Sequence, residues 1–441
     1  MTSVALRVGI VGLGTVGRGT FEVLTRNAQE IARRAGRVIE VAAVVVRDNP
    51  KSKAAAAAIL QDRVPVLTDA KALIQDPSIE VVIEVMGGTT AAKELVLAAL
   101  RAKKHVVTAN KALLALHGNE LFETARQNGV ALAFEAAVAG GIPIIKALRE
   151  GLSANEIQWV AGIINGTTNF ILSEMRSRGA SFATVLKEAQ ALGYAEADPT
   201  FDVEGVDAAH KVTILASIAF GIPIQFDRAY VEGISKLQAD DIKYAEQLGY
   251  RIKLLGIAKR VTGGIELRVH PTLIPTKRLI ANVEGPMNAV MVRGDAVGTT
   301  LYYGKGAGSE PTASAVIADL VDLARSITSK DRVPALAFQH DALSATKVLA
   351  IADVVTSYYL RMRVSDQPGV LADMTRILAD SGISIDALFQ REASDGENQT
   401  DIILLTHEAI ERHVMGAIAR LEALPTVLAK VIYIRLEQLH D

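Results

Sequence analysis

Residues 7–11 are a short apolar run that ends in Gly12-Leu13-Gly14-Thr15-Val16-Gly17, and a helix-like segment follows to about Arg34. Strand, GxGxxG turn and helix in this order is the context that a dinucleotide-binding fingerprint requires. Each glycine has a physical task. Gly12 permits the tight turn, Gly14 lets the backbone approach a pyrophosphate, and Gly17 lets helix and strand pack closely. The helix N-terminus then turns its unpaired N–H groups toward the phosphates. Gly12, Leu13, Gly14, Thr15, Val16 and Gly17 are the candidate cofactor-binding residues, and the cofactor is NADP or NAD.

The second strand, residues 40–46, runs into Val46-Arg47-Asp48. An NAD-specific turn would carry an acid at the strand end. Arg47, helped by Lys51 or Lys53, suits a 2′-phosphate instead. NADP is therefore preferred, while Asp48 keeps NAD open. Alternation continues with a buried strand at 81–85, a helix at 91–102, a strand at 105–108, a helix at 118–128 and a strand at 130–135. This pattern predicts a doubly wound parallel sheet of Rossmann type over residues 1–140. Ligands bind beyond the carboxyl ends of such strands. Thr89 and Lys111 fall there and are candidate contacts to cofactor or substrate.

Beyond the sheet lies Glu135-Ala136-Ala137-Val138-Ala139-Gly140-Gly141-Ile142-Pro143. A glycine-rich loop with one acid offers carbonyls and a carboxylate, a donor set for a hard cation, or it is an ordinary crossover. Residues 141–330 read as an α+β domain with an antiparallel sheet. Its strands are 157–164, 251–259, 265–269, 289–292 and 299–303, and its helices are 182–192 and 206–220. Asn165-Gly166-Thr167-Thr168-Asn169 reads as a polar turn, able to hydrogen-bond a substrate and to cap a helix starting near Phe170. Residues 304–312 form a glycine-rich turn into a helix reaching about Thr328. Residues 331–357 read as a linker. Residues 358–441 carry a compact βαββαβ pattern, that of a split βαβ module attached for sensing or dimerisation.

The densest chemistry is GYAEADPTFDVEGVDAAHK, residues 193–211, with five carboxylates and a lysine. Asp207 and Lys211 are four apart and share a helix face. Glu196, Asp198 and Asp202 lie in a segment broken by Pro199 and read as a loop. Taken alone, the stretch is equally well a solvated acidic turn. Composition narrows the setting. A net charge of −2 gives no sign of a nucleic-acid partner. The absence of cysteine removes disulfides, thiolate catalysis and Cys-ligated metals. No signal peptide and no membrane-length apolar run is read, so the expected location is cytoplasmic, with no membrane partner.

These motifs together resemble homoserine dehydrogenase of the monofunctional long form. The markers are GLGTVG at 12–17, TANK at 108–111, EAAVAGGIP at 135–143, GIINGTTNFIL at 162–172, the 193–211 stretch and GAGSEPTASAV at 306–316. The end, DQPGVLADMTRILADSGISI at 366–385, resembles an ACT domain. The resemblance implies NAD(P)-dependent interconversion of L-homoserine and L-aspartate 4-semialdehyde in threonine, methionine and isoleucine biosynthesis. It implies Lys211 as the acid–base lysine with Lys111 beside it, and Glu196 and Asp207 as substrate ligands. Thr167 and Asp202 are added to the substrate set, Asp202 as a partner of Lys211. Gly193 and Gly308 would contact the cofactor through backbone. Glu135, Val138, Gly140 and Ile142 would bind a structural sodium ion. Asp366, Pro368, Gly369 and Val370 would form a regulatory site for an amino-acid effector, L-threonine by the logic of end-product inhibition. The expected assembly is a homodimer or homotetramer. Deleting the chain from about Tyr358 is expected to leave activity. Two other readings remain at this point: an oxidoreductase of the same architecture acting on another small hydroxy acid or semialdehyde, and a non-catalytic amino-acid sensor. One residue departs from the family pattern, Ala197 where proline is common.

Overall fold

The computed structural model describes residues 4–327, 333–390 and 398–440. The ends of the expected first and last domains, the junction at 328–332 (with Thr328) and the 391–397 stretch of the sensor module lie outside them. The chain divides into two compact units. One comprises residues 1–166, 207–227 and 286–346, and the other residues 167–206, 228–285 and 347–441.

The first unit is built on a six-stranded parallel sheet. Its order is Val66–Leu67, Ile39–Val45, Leu6–Val11, Val81–Glu84, His105–Thr108, Leu132–Ala133. That is the doubly wound order, with the chain reversing direction across the sheet between Leu6–Val11 and Val81–Glu84, where such folds bind nucleotides. Its strands are mostly apolar because helices cover both faces, with Glu84 and Thr108 as buried polar exceptions at two strand ends. The segment 15–34 is two helices, Thr15–Arg26 and Ala28–Ala35, separated at Asn27. Helices Pro50–Leu60 and Ala70–Gln75 add to the expected set. Strand 130–135 shortens to Leu132–Ala133, and Glu135–Ala137 is a single 3₁₀ turn.

The helix Ser309–Ser326 returns to the nucleotide sheet. Its Ala313, Val316 and Leu320 share one core with Ile10, Phe21 and Leu24. Gly19 makes this approach possible, because a β-carbon there would lie 2.5 Å from the Ser309 hydroxyl. Strands Ile157–Ile163, Met287–Gly294 and Gly298–Lys305 pair antiparallel in the same unit. The helix Val206–Phe220 is buried at every residue from Asp207 to Phe220, and its charged Asp207 and Lys211 are buried with the apolar majority.

The second unit carries a long antiparallel pair, Tyr250–Val261 with Gly264–Pro275. Its βαββαβ module has the strand order Ile432–Leu436, Val355–Ser365, Gln399–Thr406, Ile385–Gln390 over its own apolar core. The module is not isolated. Strand Ile432–Leu436 also pairs in parallel with Gly264–Pro275. Arg435 reaches Glu411 of the module at 2.5 Å and Glu232 of the central domain at 2.8 Å. Arg268 holds Glu266 at 2.8 Å and Glu437 at 2.5 Å. Nor are residues 333–357 a loose linker. The Ser344 N–H donates to the Gly221 carbonyl at 2.7 Å in the first unit, and Ile265 pairs with Lys347 and Leu349 in the second. A cut near Tyr358 would bare the edge of Gly264–Pro275 and strip Glu437 from buried Arg268. A truncated chain that keeps its activity therefore does not follow from this structure.

Arg435 is 1% exposed, and removing it leaves the buried Glu411 carboxylate without its cation and takes the partner from the half-buried Glu232. Arg435→Met is expected to cost about 3–5 kcal/mol. The check is a urea unfolding curve on the full chain, and an unchanged midpoint would contradict it.

Candidate active site

The glycine turn has the geometry that phosphate binding needs. Gly12 has φ of 102°, and a β-carbon there would lie 2.7 Å from the Val85 carbonyl. One at Gly17 would run into the Gly12 carbonyl oxygen. Gly14 has nothing within 4 Å of that position, so its face is open to a ligand. The helix Thr15–Arg26 starts there with no acid in its first turn and no side chain capping it. An anion fits such an end. Thr89 stands at the N-cap position of the helix Thr90–Arg101 without a side-chain cap hydrogen bond, beyond the carboxyl end of strand Val81–Glu84. Arg47 is exposed just beyond the second strand, and Lys53 is paired with Asp48 at 2.6 Å. Gly308 caps Ser309–Ser326 with φ of 128°, a conformation that side chains resist.

Within the same unit, three charged side chains converge. Asp207 is 3% exposed. Its Oδ1 lies 3.1 Å from the Lys111 ammonium and its Oδ2 lies 2.6 Å from Lys211. The Asn165 amide donates to Oδ2 at 2.9 Å, and Lys211 also donates to the Ile164 carbonyl at 2.7 Å. Burial opposes the charge on Asp207. Lys211 and Lys111 outweigh it, with hydrogen bonds from Lys211 and Asn165, and hold the carboxyl well below its usual range. His210 is pushed down to about 4 by burial, and the two lysines add to the shift against Asp207. It stays neutral at pH 7 and adds no third cation.

Lys111 is placed by the cap of its helix, Lys111–Gln127, where Asn110 accepts from the Leu113 N–H at 3.1 Å. Asn165, which the sequence places in a polar turn able to bind substrate, here donates to Asp207; Asn110 was not singled out, although an asparagine shortly after an apolar strand is a recognisable helix-start signal. Both oxygens of Asp207 are engaged by this chain's own groups, so its first task is to clamp the lysines.

The remaining candidate substrate residues lie in the second unit. Thr167 donates to the Tyr194 carbonyl at 2.7 Å and to Asp202 at 3.1 Å. The 165–169 segment is the start of a helix rather than a turn before one, because Gly166–Arg178 is helical. Asp202 sits on a short helix, Thr200–Val203, and not on a loop. Glu196 is exposed, and its carbonyl accepts from Gln190 at 3.0 Å. Gly193 has φ of 77°. In the βαββαβ module, Asp366, Pro368, Gly369 and Val370 form the turn into helix Val370–Asp380, and Gly369 is left-handed at φ 96°.

The 135–143 loop contains two left-handed residues, Ala139 and Gly140, with φ of 56° and 43°. Glu135 is buried, and its carboxylate accepts from the Ile145 and Lys146 N–H groups at 3.1 and 2.9 Å. Burial pushes it up to about 7. Asp319, which accepts from the Glu135 N–H at 2.8 Å, is pushed up to about 8 by burial and by the neighbouring Glu135 charge. Among the described residues no three His, Cys, Asp or Glu side chains cluster as metal ligands, so a cation here would rely on carbonyls. Asp319 was not singled out from the sequence. Its signal is an acid set among Val316, Leu320 and Leu323 on one helix face.

A glycine turn open to a phosphate on a parallel sheet and two lysines clamped on one buried carboxylate in the same unit are compatible with hydride transfer between a pyridine nucleotide and an alcohol. The class is that of the NAD(P)-dependent oxidoreductases. Residues 12–135 match the family described as "Homoserine dehydrogenase, NAD binding domain", residues 143–321 match "Homoserine dehydrogenase", and residues 358–423 match "ACT domain". A homoserine dehydrogenase of Pseudomonas aeruginosa is 62% identical over 99% of both chains, and one of Neisseria gonorrhoeae is 54% identical over 99% of both. A crystal structure of a homoserine dehydrogenase from Thiobacillus denitrificans matches with a TM-score of 0.94 and 62% identity, over 99% of both chains. A hyperthermophilic archaeal homoserine dehydrogenase in complex with NADPH matches with a TM-score of 0.62 and 25% identity, over 75% of this chain and 100% of that one. The chain belongs to the homoserine dehydrogenase family and ends in an ACT domain. The reading as a non-catalytic sensor is set aside.

Asp319 yields a pH test. Its carboxyl titrates near 8 in the folded chain and near ~3.9 when unfolded. Between those values the folded chain holds a proton that the unfolded chain has released. Stability therefore falls as pH rises through that window, by up to about 1.4 kcal/mol per pH unit. Asp319→Asn keeps an acceptor for Glu135 and is expected to flatten the fall in melting temperature between pH 5 and pH 8. Parallel curves for the two proteins would contradict it.

Proposed function

We propose that this enzyme interconverts L-homoserine and L-aspartate 4-semialdehyde, with Lys211 as the group that carries the proton and Lys111 as a second cation at the same oxygen. The observation that carries the reading is the Asp207 clamp on both ammonium groups. When bound, NADP (preferred) or NAD supplies the nicotinamide that takes the hydride from C4 of homoserine. The chain's own part is electrostatic and protonic. In oxidation, Lys211 must first lose a proton to solvent, and as the neutral amine it then takes the hydroxyl proton as the C4–H bond breaks. In reduction, it returns a proton to the carbonyl oxygen, and Lys111 stabilises the negative charge building there. Asp207 offsets the repulsion between two lysines and fixes their spacing.

Glu196, Thr167 and Asp202 are assigned to the amino-acid end of the substrate. A carboxylate suits its ammonium and a hydroxyl suits its carboxylate. Gly12, Leu13, Gly14, Thr15, Val16 and Gly17 hold the pyrophosphate, and Arg47 holds the 2′-phosphate. Thr89, Gly193 and Gly308 contact the cofactor. Glu135 with the carbonyls of Val138, Gly140 and Ile142 would hold a sodium ion. The fit lies in the chemistry: one buried carboxylate that burial pushes toward neutrality, beside a left-handed turn of carbonyls. A monovalent cation there would keep Glu135 ionised and hold the loop in one shape. The ACT turn Asp366, Pro368, Gly369 and Val370 is assigned to an amino-acid effector, L-threonine, within threonine, methionine and isoleucine biosynthesis. A cytoplasmic homodimer or homotetramer completes the reading.

NADP⁺ reduction with L-homoserine, followed by absorbance, is the test. Turnover is expected in the wild type. In Lys211→Ala, kcat is expected to drop by about 10²–10⁴-fold, with NADPH affinity nearly kept. An unchanged kcat would remove Lys211 from the mechanism.

A further inference from the structure

Strand Val81–Glu84 ends in a carboxyl group with no solvent exposure. Glu84 Oε1 accepts from the Met86 and Gly87 N–H groups at 3.1 and 3.3 Å, and Oε2 accepts from the Thr108 hydroxyl at 2.6 Å. Burial pushes this acid up, and what offsets the burial is hydrogen bonding from Thr108, Met86, Gly87 and Asn110 rather than a cation. Burying an acid without a cation is costly. Its use here is that these donors converge on one spot, and a carboxylate is the side chain with two acceptor oxygens and no donor.

The network continues in two directions. The Thr108 hydroxyl accepts from the Asn110 N–H at 3.0 Å, and the Asn110 amide donates to the Gly88 carbonyl at 2.7 Å. Asn110 is also the cap of the helix that begins at Lys111. On the other side, Gly87 and Gly88 have φ of 75° and 74°. Two adjacent left-handed glycines make a turn with many alternative conformations when nothing holds it.

We propose that Glu84 is a positioning residue: its carboxyl group ties the Met86–Thr89 turn to the cap of the Lys111 helix, so that the nucleotide turn and the lysine are set by one buried hinge-pin. This rests on the assignment of Thr89 to the cofactor and of Lys111 to the reacting oxygen. Neither Glu84 nor Thr108 touches a ligand in this scheme. Both act through groups that do.

The test uses the full-length enzyme. Glu84→Ala is expected to lower kcat by on the order of 10²-fold, the loss typical of a displaced catalytic group. It is also expected to weaken NADPH binding, read by nucleotide fluorescence, while KM for homoserine changes far less. Glu84→Gln keeps an acceptor for both turn N–H groups and is expected to restore most of both losses. NADPH titration needs no turnover, and wild-type turnover is measured beside it, so failure here is distinct from failure of the dehydrogenase reading. Wild-type kcat and NADPH affinity in Glu84→Ala would overturn the proposal, as would Glu84→Gln as impaired as Glu84→Ala. Where Glu84→Ala does not fold, Thr108→Val removes only the hydroxyl between Glu84 and Asn110. The same paired loss supports the proposal, and wild-type values overturn it.

Discussion

A carboxylate that is 3% exposed and lies within 3.1 Å of two ammonium groups is the interaction on which the arrangement depends. Two lysines brought together repel, and a buried acid alone would be neutral. Each condition becomes tolerable only through the other. Removing one partner of such a buried set is typically far costlier than replacing the whole set. The helix Val206–Phe220 is buried from Asp207 to Phe220, so the Asp207–Lys211 pair is held where water screens it little. The strand that ends at Ile163 supplies the next two groups, the Ile164 carbonyl and the Asn165 amide.

The same logic recurs elsewhere with different partners. Glu135 and Asp319 are buried acids pushed up toward neutral pH, held by backbone N–H groups. Arg268 and Arg435 are buried cations held by glutamates from both the central domain and the ACT domain. In the second unit these pairs and the shared strand edge make the ACT domain part of one continuous construction with the central strands. A signal from an effector would reach the central domain through packed, fully paired charges rather than through a tether.

Much of this was legible in the sequence where periodicity or a spaced motif carried it. The glycine turn, the helix Val206–Phe220 and the βαββαβ order all follow from local pattern, and Asp207 with Lys211 from a spacing of four. What was not legible is long-range. Lys111 meets Asp207 across almost a hundred residues of sequence, and nothing local announces that distance. Glu84 and Asp319 look like ordinary acids until the strands and helices around them close. The ACT domain looked detachable because the pairing of Thr272 with Arg435 is parallel and has no hairpin signal. The helices Pro50–Leu60 and Ala70–Gln75 did have signals, Asn49-Pro50 and Asp69, that are standard helix starts.

The most direct test of the account is a crystal structure of the enzyme with NADP⁺ and L-homoserine. The account predicts the homoserine hydroxyl oxygen within hydrogen-bond reach of Lys211, about 2.6–3.2 Å. Lys111 would lie on the same oxygen, Asp207 would still bridge the two lysines, and C4 would face the nicotinamide. A homoserine hydroxyl bound away from both lysines, with C4 turned from the nicotinamide, would contradict it.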